Sequence, residues 1–170
     1  MILGPVWLMQ PIPYFGETLT GTWLYEPKID GWRMQILRRS NGDVEIWGRR
    51  LERRPNWTAR LPDIAERSQC VLPKGTLVDC ELSSTRGRRF VPSLFAKRPK
   101  AAPFIYVFDV LYLDDKDVCR LSLAERKHSL DHLALQKPFI PLLGNVLSNM
   151  NTHLKDAKDL GHEGIVIKRI

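Results

Sequence analysis

The sequence has little cysteine and no cysteine framework. Cys70, Cys80 and Cys119 stand far apart, with no Cys-x-x-Cys pair and no Cys/His spacing. That excludes a disulfide scaffold and the usual tetrahedral zinc site, and an odd count suits a reducing compartment. No apolar run approaches the ~20 residues that a membrane-spanning helix requires. The opening, Met1-Ile2-Leu3-Gly4-Pro5, lacks the basic start and long apolar core of a signal peptide. His128, His132, His153 and His162 show no ligand spacing, and no serine–histidine pair offers a hydrolytic centre. Internal repeats and low-complexity segments are also missing. The expectation is a soluble, intracellular, globular protein.

What is present is charge, most of it positive. Lysine and arginine number 26 against 19 aspartates and glutamates, a formal net charge of +7 over 170 residues. That length suffices for one domain with a real core. The cations cluster at Arg49, Arg50, Arg53 and Arg54, at Arg86, Arg88 and Arg89, and at Lys97, Arg98 and Lys100. Charge runs are commonly just solvated faces. Three such groups in one small domain favour a polyanionic partner.

Residues 1–21 carry Pro5, Pro11, Pro13, Gly16 and Gly21 and read as an irregular lead-in. From Trp23 the pattern becomes strand-like, and Ser40-Asn41-Gly42-Asp43 predicts a hairpin between a strand around Trp32–Leu37 and another at Val44–Trp47. Pro55-Asn56-Trp57 opens a helical stretch with Asn56 as N-cap. Gly75–Leu82 reads as a strand, apolar at its start and acidic at its end. Phe104–Leu113 is nearly continuous in apolar residues and predicts a central strand buried on both faces, where Asp109 must find a partner. Ser122-Leu123-Ala124-Glu125 is a capping box that opens a helix to about Leu135. A second helix is expected over Leu147–Leu160, closed by Gly161, and Glu163–Ile170 is a final strand with a carboxylate at its head.

The chemistry is placed at Glu26-Pro27-Lys28-Ile29-Asp30-Gly31-Trp32-Arg33. One lysine stands between two carboxylates, with an arginine close behind. A lysine amine is a nucleophile only when desolvation or nearby positive charge disfavours its protonated form. Taken alone, Asp30-Gly31 is also an ordinary turn. Lys28, Glu81, Phe108, Glu163 and Lys168 each fall at a strand end or within a strand, where clefts are commonly built. Phe108 by itself reads as plain core. Glu163 and Lys168 would face opposite sides of a regular strand.

Together these stretches resemble the nucleotidyltransferase motifs of ATP-dependent DNA ligases. Lys28 to Arg33 has the form Lys-x-Asp-Gly-x-Arg, and Gly48-Arg49-Arg50 looks like the arginine motif after the hairpin. Val78-Asp79-Cys80-Glu81-Leu82 is similar to the strand ending in glutamate. Phe108 to Leu113 resembles Phe-Asp-x-Leu-Tyr-Leu, Glu163 to Lys168 resembles Glu-Gly-x-x-x-Lys, and Leu121 to Lys127 is similar to the arginine-bearing linker between them. The likeness runs from about Trp23 to Ile170. It implies an α+β fold of two mainly antiparallel sheets flanked by helices, ATP-grasp-like, with an adenylation domain over 22–170. Lys28 would carry AMP, and Glu26, Arg33, Glu81, Phe108 and Lys168 would bind ATP, with Phe108 stacked on adenine. Arg49 and Arg50 would meet the nick phosphate, and Glu163, then Glu81, would hold Mg²⁺, for which Mn²⁺ could substitute. The implied partner is nicked double-stranded DNA, handled by a monomer in repair, replication or recombination, in a cell of bacterial or archaeal type or from a virus.

Two departures from the family pattern carry expectations. The further lysine-bearing motif and the OB-fold domain do not follow Ile170, so the chain alone should charge Lys28 very slowly and seal no nicks. Asp114-Asp115 and Leu51 replace turn residues. An RNA ligase or mRNA-capping guanylyltransferase shares Lys-x-Asp-Gly, and a non-catalytic nucleic-acid-binding module could share the fold. The run Phe108-Asp109-Val110-Leu111-Tyr112-Leu113 favours the DNA ligase.

Overall fold

The computed structural model describes residues 4–170. Two sheets carry the architecture. The smaller contains β1 (Trp23–Pro27), β8 (Asn145–Val146) and β9 (Ile165–Arg169) in the order β8-β1-β9, all antiparallel. The larger runs β3-β2-β4-β5-β6, from β2 (Trp32–Arg38), β3 (Val44–Gly48), β4 (Thr76–Ser84), β5 (Pro103–Leu113) and β6 (Lys116–Asp117). A short β7 (Phe139–Pro141) pairs in parallel with β5. Three helices, α1 (Pro62–Val71), α2 (Leu123–His132) and α3 (Met150–Asp159), accompany them. The expected α+β class with two mainly antiparallel sheets is what the chain forms.

Alternation builds the main core. Met34 and Ile36 on β2, Ile46 on β3, Val78, Cys80 and Leu82 on β4, and Ile105, Val107 and Val110 on β5 are buried with Ile64 of α1 and Leu130 of α2. Full burial of each such aliphatic contributes about 1.5–3 kcal/mol. The hairpin closes as expected: the Arg39 amide donates to Asp43 (2.8 Å) and Gly42 takes φ 99°. The lead-in contains no helix or strand among its described residues, yet it is fastened. The buried Gln35 side chain accepts from the Val6 amide and donates to the Val6 carbonyl, each at 2.9 Å.

Three expectations change. Asn56 does not cap an α-helix; its side chain accepts from Thr58 ahead of a 3-10 turn, and α1 starts at Pro62, whose missing N–H is no loss there. The second helix begins at Met150 rather than Leu147, because Asn145–Val146 adds to the edge of β1. Its cap is Asn149, which accepts from Thr152. The third change concerns β5, which is buried along one face only. Its ladder with β4 slips twice: Cys80 pairs Val107 while Asp79 pairs Asp109, leaving Phe108 unpaired at a bulge, and a second slip lies between Leu77 and Val78. A bulge re-aims a side chain. Here it turns Phe108 out of the core and leaves its ring half-buried.

Candidate active site

The β1–β9 ladder brings Lys28 and Glu163 together. Pro27 pairs with Ile165, and one step on the Lys28 amide donates to the Gly164 carbonyl at 2.9 Å. The two side chains form an ion pair and are 50% and 44% exposed, so a ligand can reach both. Gly31 is required nearby by close approach. A Cβ there would run into the carbonyl oxygen of Leu82 and stand 3.0 Å from the Glu81 side chain, so the loop carrying Lys28 lies flat on the end of β4.

The larger sheet presents Phe108 between two cations. The Arg33 guanidinium lies 5.5 Å and the Lys168 ammonium 4.9 Å from the ring centroid. Arg33 is held by Asp79 through two bonds of 3.0 and 2.6 Å, which use two of its five N–H donors and leave three. Asp109 has its partner too: Arg126 of α2 grips it at 2.8 and 3.1 Å. Asp79 and Asp109 face each other across the ladder, and each carboxylate carries its own guanidinium. Burial, opposed by Arg33, pushes the Asp79 carboxyl above its ordinary range. Glu81, directly opposite Arg33 in register, is pushed up to about 7, by burial first, with Arg33 opposing it and Asp79 adding to the rise.

Lys168 reaches this cleft. Its ammonium donates to Glu26 at 2.8 Å and lies 3.5 Å from the Phe108 carbonyl oxygen. Strand alternation does not keep it from Glu163, because Glu163 precedes β9 rather than lying within it. Glu26 is buried and both of its oxygens are engaged, one by Lys168 and the other by Lys127 of α2. Its carboxylate therefore has no free face for a base. Arg49 and Arg50 are exposed at the end of β3, where the Arg49 amide donates to the Arg33 carbonyl at 3.2 Å.

These elements fit one family. A family model described as "ATP dependent DNA ligase domain" matches residues 9–170. The chain belongs to the ATP-dependent DNA ligase family. A probable DNA ligase of a Nocardioides strain is 32% identical over 152 residues, covering 85% of this chain and 29% of that protein. A prophage-derived DNA ligase-like protein of Bacillus subtilis is 28% identical over 153 residues, covering 86% of the chain and 54% of the relative. Among solved structures, a mycobacterial DNA ligase D complexed with ATP superposes with TM-score 0.66 at 18% identity, over 87% of this chain and 48% of that one. The Chlorella virus DNA ligase-adenylate gives TM-score 0.62 at 20% identity, over 89% and 54%. The chain thus spans about a third of the first curated relatives and about half of these structures.

Within this ligase-family fold, Arg33, Phe108, Lys168 and Glu26 form one contact network, and the Lys28–Glu163 pair begins two residues beyond Glu26. Asp79 and Lys127 are members that the sequence alone does not single out. Lys127 leaves a signal there all the same: it lies on the helix stripe of Leu123 and Leu130, where an unpartnered cation would be out of place. No cluster of three or more metal-ligating side chains occurs among the described residues, and none of their helices is long and apolar enough to cross a membrane.

Proposed function

We propose that the chain is the adenylation domain, over 22–170, of an ATP-dependent DNA ligase acting on nicked duplex DNA. The observations that support the reading are the accessible Lys28–Glu163 pair and the cation-flanked ring of Phe108, joined through Lys168 and Glu26 to the strand that leads into Lys28. The Lys28 nitrogen attacks the α-phosphorus of ATP. An N–P bond forms, the bond to pyrophosphate breaks, and the amine proton is lost to solvent. The AMP then passes to the 5′-phosphate of the nick and restores the lysine. Attack by the 3′-hydroxyl joins the strand and releases AMP. Each step is an in-line transfer that depends on positioning and charge neutralisation.

The residues take these roles. Phe108 stacks on adenine. Arg33, fixed by Asp79, turns its remaining donors to ribose or phosphate, and Lys168 adds charge beside the base. Glu81 accepts from the ribose hydroxyls. Arg49 and Arg50 hold the nick phosphate, where a guanidinium matches the oxyanion bidentately. Because both oxygens of Glu26 are taken, it supports the base through its backbone and its lysines. Mg²⁺, with Mn²⁺ as substitute, fits the donor set: one or two carboxylates beside substrate phosphates suffice. Glu163 is the exposed carboxylate at the cleft, while Glu81, drawn toward neutrality, is the weaker ligand. When bound, the ion neutralises phosphate charge. Glu163 is also the ion-pair partner of Lys28.

The test is incubation with α-labelled ATP or GTP and Mg²⁺, followed by a denaturing gel. A labelled, acid-labile adduct from ATP that disappears in Lys28→Ala is expected. An adduct that survives the substitution would show the nucleophile to be another residue. Preference for GTP would point to a capping-type enzyme, and salt-sensitive DNA binding without any adduct to a binding module.

A further inference from the structure

Lys127 is a buried cation with every donor matched. An ammonium has three N–H groups. Here one goes to Glu26, one to the Phe108 carbonyl at 2.7 Å and one to the Leu142 carbonyl at 2.5 Å. Lysine is rarely buried this fully unless it is paired. The acceptors come from separate parts of the fold: β1 of the smaller sheet, the bulge of β5 in the larger, and the segment after β7. The two sheets share no ladder. The Glu26 carboxylate also binds Lys168 of β9, so one small ion cluster ties the strand that leads into Lys28 to the strand that bears the Phe108 ring.

We propose that Lys127 is a positioning residue for the nucleotide, setting the separation between Lys28 and the ring of Phe108. This rests on the assignment of the cleft as the ATP site. The Phe108 residue lies outside the β4 ladder at the bulge, so its carbonyl is held from the Lys127 side. Two residues after Glu26 the chain reaches Lys28. Without the tripod the ring and the strand that leads into Lys28 are not held relative to each other, and a site that is competent only part of the time binds nucleotide less tightly by that fraction. The groups facing Lys127 are Glu26 of β1, Lys168 of β9 and Asp109 of β5, the last neutralised by Arg126. Burial first, then the positive charge of Lys168, lowers the Lys127 ammonium to about 8, against the pull of Glu26. Its proton is therefore within reach of ordinary buffers.

Lys127→Met separates positioning from mere packing. Methionine fills nearly the same volume, so packing is kept, but it leaves the buried Glu26 carboxylate with Lys168 as its cation, and removing one partner of a buried pair is destabilising. The expected result on the full chain is a folded protein with a lowered melting temperature and, assayed well below it, a KM for ATP in Lys28 labelling raised on the order of 10-fold. The rate at saturating ATP should stay within about threefold. In the unmodified chain the KM should rise as pH passes through about 8, and this step should vanish in Lys127→Met. An unchanged KM in a folded variant, or a pH step that persists in it, overturns the proposal. If Lys127→Met fails to fold, Lys127→Arg decides: a planar guanidinium keeps the charge but cannot replace the ammonium tripod, so a raised KM supports the proposal and an unchanged one overturns it. Absence of any adduct on the unmodified chain would instead sink the assignment of the cleft.

Discussion

Glu81 shows how one side chain can make stability run against the usual direction. Its unfolded carboxyl titrates near 4.5 and its folded one near 7, mainly through burial. Between those values the native state binds the extra proton. The contribution is present in full below about 4.5 and is lost as pH rises through 7. Denaturant unfolding should therefore show the unmodified chain losing on the order of 1–3 kcal/mol across that interval relative to Glu81→Gln. Parallel curves for the two proteins would contradict this. Phe108→Ala should weaken ATP binding by about 1–3 kcal/mol, the worth of one base on an aromatic face. Because the ring is only half-buried, the melting temperature should move little; a large drop would make Phe108 a core residue. Asp79→Ala should cost about 3–5 kcal/mol, since it strands the Arg33 guanidinium in a site where its side chain is 14% exposed. Urea midpoints measure it.

At the scale of elements, local signals are legible in the sequence and long-range ones are not. The capping box at Ser122 and Glu125 is present in full, because both partners lie within one turn. The hairpin at Asn41-Gly42, the strand that carries Glu81 and the one that begins after Glu163 follow from turn chemistry and apolar runs, though β4 runs on to Ser84. The bulge at Phe108 is beyond such reading, because it is a property of how β5 registers on β4 and not of β5 itself. So is the pairing of Lys127 with Glu26, 101 positions apart, and of Arg33 with Asp79, 46 apart. The cleft's membership comes from the family resemblance. Its electrostatic wiring comes only from the fold. The Gly31 loop provides a test at this scale. Gly31→Ala places a methyl against the Leu82 carbonyl, so the loop must lift from β4. A chain that still folds by circular dichroism but forms far less Lys28 adduct is expected; full activity would mean that the loop position is irrelevant.

For the whole molecule the distribution of cations matters more than their number. Arg86, Arg88 and Arg89 rim a shallow depression with Trp32 and Pro92, next to Asp30, which is bound by Arg88 at 2.7 Å. Arg86 rests on the ring of Phe90, its guanidinium carbon 4.0 Å from the centroid. This face continues from the Lys28 loop through Asp30. Arg86→Ala with Arg89→Ala should flatten the slope of log affinity for duplex DNA against log salt by about 2, close to one unit for each phosphate no longer neutralised. Lys28 labelling should be unaffected. An unchanged slope would leave these arginines as a solvated face.

The bond from the Lys28 amide to the Gly164 carbonyl also has a consequence in time. It closes a loop of more than a hundred residues, and the cost of bringing such distant ends together falls before the contact returns anything. The larger sheet can form from hairpin neighbours, β2 with β3 and then β4 with β5. The strand β1 has no partner until β8 and β9 exist. On a ribosome Lys28 is made well before Glu163, and the strand leading into it lacks its longer ladder until the strand that follows Glu163 has been made. Any chemistry that needs Glu163 beside Lys28 therefore follows the closing of the β1–β9 ladder, and a folding intermediate with only the main core intact would lack it.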